Sequence, residues 1–185
     1  MTSIVVIGCS LGGFKAVGVV LAALPREFSA PIAIVQHRAT HGTEDYCAAL
    51  QRLTALPVAE AEDKQSPIAG HVYVAPAGYH LLVDDGEFSL SVDDPVNFAR
   101  PSIDVLFASA AESFGARTIA IVLTGASHDG SDGAGDVLAA DGRVLVQDPR
   151  EAECGVMPNA VRERHPGALV MPLDQIAPWL LANVR

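Results

Sequence analysis

A chain of 185 residues supports one hydrophobic core, so a single domain over residues 1–185 with one active site is expected. Half of the residues are hydrophobic but only 5% aromatic, a core of Ala, Val, Leu and Ile that suits strands covered by helices on both faces. The net charge of −10 repels a phosphate backbone and excludes nucleic acid as partner, and Cys9, Cys47 and Cys154, odd in number and without a CxxC pair, exclude a disulfide framework or zinc site and point to a reducing, cytoplasmic compartment.

The first apolar run, within MTSIVVIGCSLGG, ends at glycine too soon for a signal peptide or a membrane span. Ser3 to Gly8 instead reads as a buried strand. A helix from Gly13 to Leu24 follows, with Phe14, Val17, Leu21 and Leu24 on one stripe and Pro25 closing it. Ile32 to Gln36 is the next strand. Thr43 to Leu53 has helical period, with Thr43 as cap and Tyr46, Leu50 and Leu53 inward, and Pro57 begins an extended stretch. After a short strand from Val72 to Ala75, the order strand, Asp-Asp-Gly turn, strand runs from Tyr79 to Val92, an antiparallel hairpin expected to add to the sheet.

Ser102 opens a helix that ends at Gly115, and Arg117 to Leu123 is a strong central strand. A helix to Ala140, a strand from Arg143 to Gln147, a short helix near Asn159, a strand near Ala168 to Met171 and a terminal helix complete the chain. Alternation of strand and helix predicts a three-layer α/β sandwich with a mostly parallel, doubly wound sheet plus the antiparallel hairpin.

In such a sheet, ligands gather where loops leave the carboxyl ends of the strands. Three of these loops carry reactive side chains: Ser10 in GCSLGG, His37 in QHR and Asp129 in TGASHDG. Gly8-Cys9-Ser10-Leu11-Gly12 has the nucleophile-elbow pattern, whose glycines relieve a sharp strand-to-helix turn. A serine hydroxyl is a weak nucleophile and needs a base, itself oriented by a third group; His37 and Asp129 are of the right types on adjacent strand ends. The N–H of Leu11 is the first oxyanion donor, and a second comes from the Gly125 to Ser127 loop. Plainer readings stand beside these. The turn also fits a phosphate loop, Asp129 before Gly130 also fits a helix cap, and His41, His71, His80, His128 and His165 are alternative bases, His128 being the nearest rival.

VVIGCSLGG, IVQHR, AEDKQSPIAGHVYVAPAGYHLLV, NFARPSIDVLF, IVLTGASHDG and VQDPREAE followed by MPNAV stand in one order along nearly the whole chain. In these blocks the sequence resembles the catalytic domain of chemotaxis protein-glutamate methylesterases, the CheB type. The resemblance implies a cytoplasmic hydrolase of γ-glutamyl methyl esters on chemoreceptors or another methylated protein, with deamidation of glutamine as a second activity. It implies Ser10 as nucleophile, His37 as general base and acid, and Asp129 as the residue orienting His37. Leu11, Gly12 and Ala126 fall on the oxyanion side, and Arg38 and Arg100 on the substrate side, where ordinary surface ion pairing is the alternative. No cofactor, metal or membrane insertion is implied.

Two-domain family members carry a receiver domain ahead of the catalytic part, whereas this chain begins at the catalytic strand, so a separate receiver protein would supply such control. The sequence departs from the family pattern at Leu11, where threonine is common, at Ala126 and Ser127, where methionine and glycine are usual, and at Val156. These departures also admit a catalytically impaired, CheB-like partner-binding domain. A nucleotide-binding module is disfavoured by the lack of a third glycine at dinucleotide spacing and of a P-loop lysine.

Overall fold

A computed structural model describes residues 3–38 and 46–184. Its main sheet is built from β1 (Ile4–Cys9), β2 (Ile32–Gln36), β3 (Val58–Glu60), β4 (Val72–Val74), β7 (Thr118–Val122), β8 (Arg143–Gln147) and β9 (Leu169–Met171). The seven strands are all parallel, in the order β3-β4-β2-β1-β7-β8-β9. From β1 the chain passes to β2, then to the edge at β3 and back to β4 between them, and from β7 it winds outward to the other edge. The direction of winding therefore reverses between β1 and β7, and at such a reversal the two flanking loops part to leave a crevice.

Both faces of the sheet are covered, which explains the unbroken apolar runs. Val5, Ile7 and Cys9 of β1 face α1 (Gly13–Ala22), α2 (Tyr46–Gln51) and α6 (Leu173–Asn183), while Ile4 and Val6 face α3 (Ile103–Phe114), α4 (Ser131–Ala139) and α5 (Val156–Arg164). Successive strand residues point to opposite faces, so two cores form from one strand. At Gly8 β1 is packed against Ile103 of α3. A Cβ there would sit 2.3 Å from Cγ2 of Ile103.

The hairpin of β5 (His80–Asp84) and β6 (Glu87–Ser91) forms as expected, but as a sheet of its own rather than an extension of the main one. Its apolar side chains Leu81, Val83 and Phe88 pack into the α3 side of the core, and Ser109 and Ser113 of α3 hydrogen-bond the backbone of Val83 at 3.0 and 2.9 Å. An edge satisfied by serines on a helix has no need of a neighbouring strand.

Other boundaries shift by a few residues. The first helix stops at Ala22, and its buried stripe is Gly13, Ala16, Val17, Val20 and Leu21; Phe14 is exposed, its ring set edge-on to Tyr46 at 5.5 Å. In α2 Leu50 is buried; the helix ends at Gln51, so Leu53 lies in the turn beyond it and is exposed, while the expected Thr43 cap lies outside the described residues. Trp179 packs against the core from α6, with the guanidinium of Arg143 over its ring.

Candidate active site

Ser10, His37 and the loop carrying Asp129 leave the carboxyl ends of β1, β2 and β7, three neighbouring strands at the reversal. Register brings the first two together: Cys9 pairs with Gln36, and the His37 N–H donates to the Cys9 carbonyl at 3.0 Å. The side-chain amide of Gln36 then donates to the carbonyls of both Ser10 (2.7 Å) and His37 (3.1 Å). From the other side, the Ser10 N–H donates to the Thr124 carbonyl at 3.0 Å, and the Thr124 hydroxyl donates to the Leu11 carbonyl at 2.9 Å. Gly12 has φ +78°, the left-handed conformation that lets the turn enter α1.

Asp129 is buried and receives four hydrogen bonds: from His37 Nε2 at 2.7 Å, the Ser102 hydroxyl at 2.8 Å, and the N–H groups of Ile103 and Asp104 at 2.7 and 3.0 Å. It therefore does cap a helix, but α3 and not the α4 that follows it in sequence. The cap of α4 is Asp104, which accepts from the N–H groups of Gly130 (2.9 Å) and Gly133 (2.8 Å). Each helix thus begins on a carboxylate carried by the other segment, and each carboxylate sits at the positive end of a helix. Burial pushes the Asp129 carboxyl up, but the bonds from His37, the two N–H groups and Ser102 outweigh it and hold its pKa below the usual carboxylate range. Asp104 goes the other way: burial and the neighbouring Asp129 charge push it up to about 6 against the Gly133 N–H.

With Nε2 given to Asp129, the Nδ1 of His37 makes no hydrogen bond among the described residues. Among the described residues, the Ser10 hydroxyl makes no hydrogen bond, so it is held by its backbone and left free at its tip; such bonds are commonly loose before substrate arrives. The adjacent Cys9 is no competing nucleophile, because burial pushes its thiol up and the Sγ donates to Gln36 Oε1 at 3.1 Å. No described residue accepts from the N–H of Leu11 or Ala126, whereas the Gly125 N–H is committed to the Cys154 carbonyl at 2.9 Å. Gly125 must lack a side chain, since a Cβ would lie 1.9 Å from the Met157 sulfur and 2.9 Å from the Ser10 Cβ.

The rival histidines are placed elsewhere. His71, His80 and His165 each hydrogen-bond a backbone carbonyl, His128 is exposed in a different concavity, and His41 lies outside the described residues. Arg38 and Arg100 line a concavity of about 340 Å³ with His37, Phe98, Ala99 and Pro101. Arg38 pairs with Glu60 at 2.6 Å and Arg100 donates to the carbonyls of Val92 and Asp93, so both guanidiniums also serve the local structure. Among the described residues, no group of three or more His, Cys, Asp or Glu side chains is arranged to hold a metal ion.

A model of the family described as CheB methylesterase matches residues 5–180. The chain belongs to the CheB methylesterase family. It is 41% identical over 94% of its length to a putative protein-glutamate methylesterase/protein-glutamine glutaminase of Leptospira interrogans, covering 90% of that protein. It is 40% identical over 96% of its length to the protein-glutamate methylesterase FrzG of Myxococcus xanthus, spanning 54% of that longer chain. The crystal structure of the Thermotoga maritima CheB methylesterase catalytic domain superposes with a TM-score of 0.93 at 35% identity, covering 98% of each chain.

Within this CheB-family fold, Gln36, Ser102, Asp104 and Thr124 are site residues that motif reading passed over. Their signal was faint but physical. Gln36 and Gln147 each follow a run of apolar residues at the end of a strand, and a buried amide there must find partners; Gln147 accepts from the Thr124 N–H at 2.9 Å. The departure at Leu11 leaves a side chain 54% exposed beside Ser10 and leaves the backbone N–H free.

Proposed function

We propose that the chain hydrolyses γ-glutamyl methyl esters on a protein, by a Ser10-His37-Asp129 triad. The observation that carries this reading is the 2.7 Å bond from His37 to a buried Asp129 at the β1/β7 reversal, on the strand ends that flank Ser10. Ser10 Oγ attacks the ester carbonyl while His37 takes its proton at Nδ1, and the charge formed on His37 faces the Asp129 carboxylate. The free N–H groups of Leu11 and Ala126 receive the oxyanion. Collapse expels methanol, protonated by His37, and leaves Ser10 acylated by the glutamyl group. His37 then draws a proton from water, and the hydroxide so formed releases glutamate and restores the serine. The same steps on a glutamine side chain release ammonia.

The substrate of this proposal is a methylated chemoreceptor or a comparable methylated protein in the cytoplasm. No described helix is long and apolar enough to cross a membrane. The alternative of an impaired partner-binding domain draws no support from relatives that bear the names of enzymes. Ser10→Ala is expected to lower methanol release by about 10⁴-fold or more, with an unchanged melting temperature. Release near the wild-type rate in that variant would refute the assignment.

A further inference from the structure

Val96 and Ala99 exchange both backbone hydrogen bonds, at 3.1 and 2.9 Å, and so close a two-residue turn over Asn97 and Phe98. Both central residues have positive φ, +49° and +63°, the requirement of a type I′ turn, where Asn-Gly is the favoured pair. Asparagine is at home there; phenylalanine is not, because its Cβ crowds the backbone in the left-handed region. The turn is nevertheless held firmly. Asn97 Nδ2 donates to Asp104 Oδ2 at 2.9 Å, and Arg100 straps the stem through the carbonyls of Val92 and Asp93 at 2.8 and 3.0 Å.

What the turn presents is a phenyl ring with a relative exposure of 104%, so Phe98 gains nothing from packing in its own chain. A bulky residue in a conformation that favours glycine, and wholly in solvent, is a cost to the free protein on both counts. The ring also borders the concavity that contains His37. Of the arginines of that concavity, Arg38 is paired with Glu60 and Arg100 is turned onto backbone carbonyls, each through one terminal nitrogen, so the side chain that stands wholly free at the rim is the phenyl ring. Leu11, next to Ser10 in the chain, is a second exposed apolar side chain.

We propose that Phe98 is a specificity-determining residue, held outward by its turn to seat an apolar side chain that flanks the esterified glutamate on the substrate protein. The proposal rests on the methylesterase reading above. Its test is steady-state release of labelled methanol from a soluble chemoreceptor fragment radiolabelled on its methyl esters, with wild type, Phe98→Gly and Phe98→Tyr. Phe98→Gly relieves the backbone, so it is expected to fold and to melt at a higher temperature while KM rises about tenfold at little-changed kcat, the size of effect of losing an exposed aromatic anchor. Phe98→Tyr keeps the ring and is expected to restore KM. An unchanged KM in Phe98→Gly overturns the proposal. So does a fall in kcat at constant KM, which would make the turn a support of the catalytic groups, or a change in oligomeric state with constant KM, which would assign the ring to a second copy of the chain. A wild-type protein that releases no methanol overturns the parent reading instead, and is distinguished by its silence in all three proteins.

Discussion

Asp104 and Asp129 are two buried carboxylates whose environments push them apart. Asp129 gathers four donors and stays ionised as the partner of His37. Asp104, beside it, is pushed up to about 6. A carboxyl whose folded pKa lies above its unfolded value of about 3.9 binds its proton more tightly in the native state. The native state is therefore favoured below pH 4 by this group, and that advantage is lost as pH rises from about 4 to about 6. Asp129 has the opposite sign: its contribution is complete above about pH 4 and disappears as pH falls further. Urea denaturation of wild type and Asp104→Asn across pH 4 to 7 is expected to show the decline only in wild type. Parallel curves for the two proteins would remove Asp104 as its source. None of this could be read from RPSID or SHDG, because both motifs look like ordinary helix starts until the two segments are seen to cap each other.

At the scale of elements, α3 is the piece that joins fold to site. Its outer face receives the hairpin, its inner face crosses β1 at Gly8, and its first turn holds Asp129. Ser102 accepts from the Val105 N–H at 3.5 Å as the helix cap and donates to Asp129 at 2.8 Å. Ser102→Ala is accordingly expected to cost about 1–2 kcal/mol of stability by urea denaturation and to lower kcat together with it. Lost stability with an unaltered kcat would separate the cap from the site. The sequence marked this helix well, from Ser102 to Gly115, since cap and stop signals are local. It marked the hairpin's turn for the same reason, Asp85 and Gly86 both having positive φ, but not where the hairpin docks, which depends on serines of α3. The apolar period runs to Leu24 and includes Phe14, whereas the helix stops at Ala22 and leaves Phe14 exposed, because an apolar period does not say which of its members meets the sheet.

Across the whole molecule the formal charge is −10, and each of the two cationic side chains near His37 holds an internal acceptor through one terminal nitrogen. An acidic receptor fragment approaches this field against repulsion. Raising monovalent salt from about 20 to about 200 mM is expected to increase kcat/KM for such a fragment, as the Debye length falls from about 20 to below 10 Å. A decrease would mean that Arg38 and Arg100 steer the encounter despite their partners.

The sequence by itself determined the alternation of strand and helix, the parallel doubly wound sheet, and the three strand-end loops that carry Ser10, His37 and Asp129. Those features rest on local period, turn chemistry and the rule that such sheets bind at their carboxyl ends. Only the tertiary structure decided which histidine nitrogen meets Asp129, that Gln36 and Thr124 clamp the turn that carries Ser10, that two helices exchange their capping carboxylates, and that Phe98 stands free at the rim. Each of these is a relation between segments distant in sequence, and it is fixed by strand register and helix packing, which no local pattern encodes.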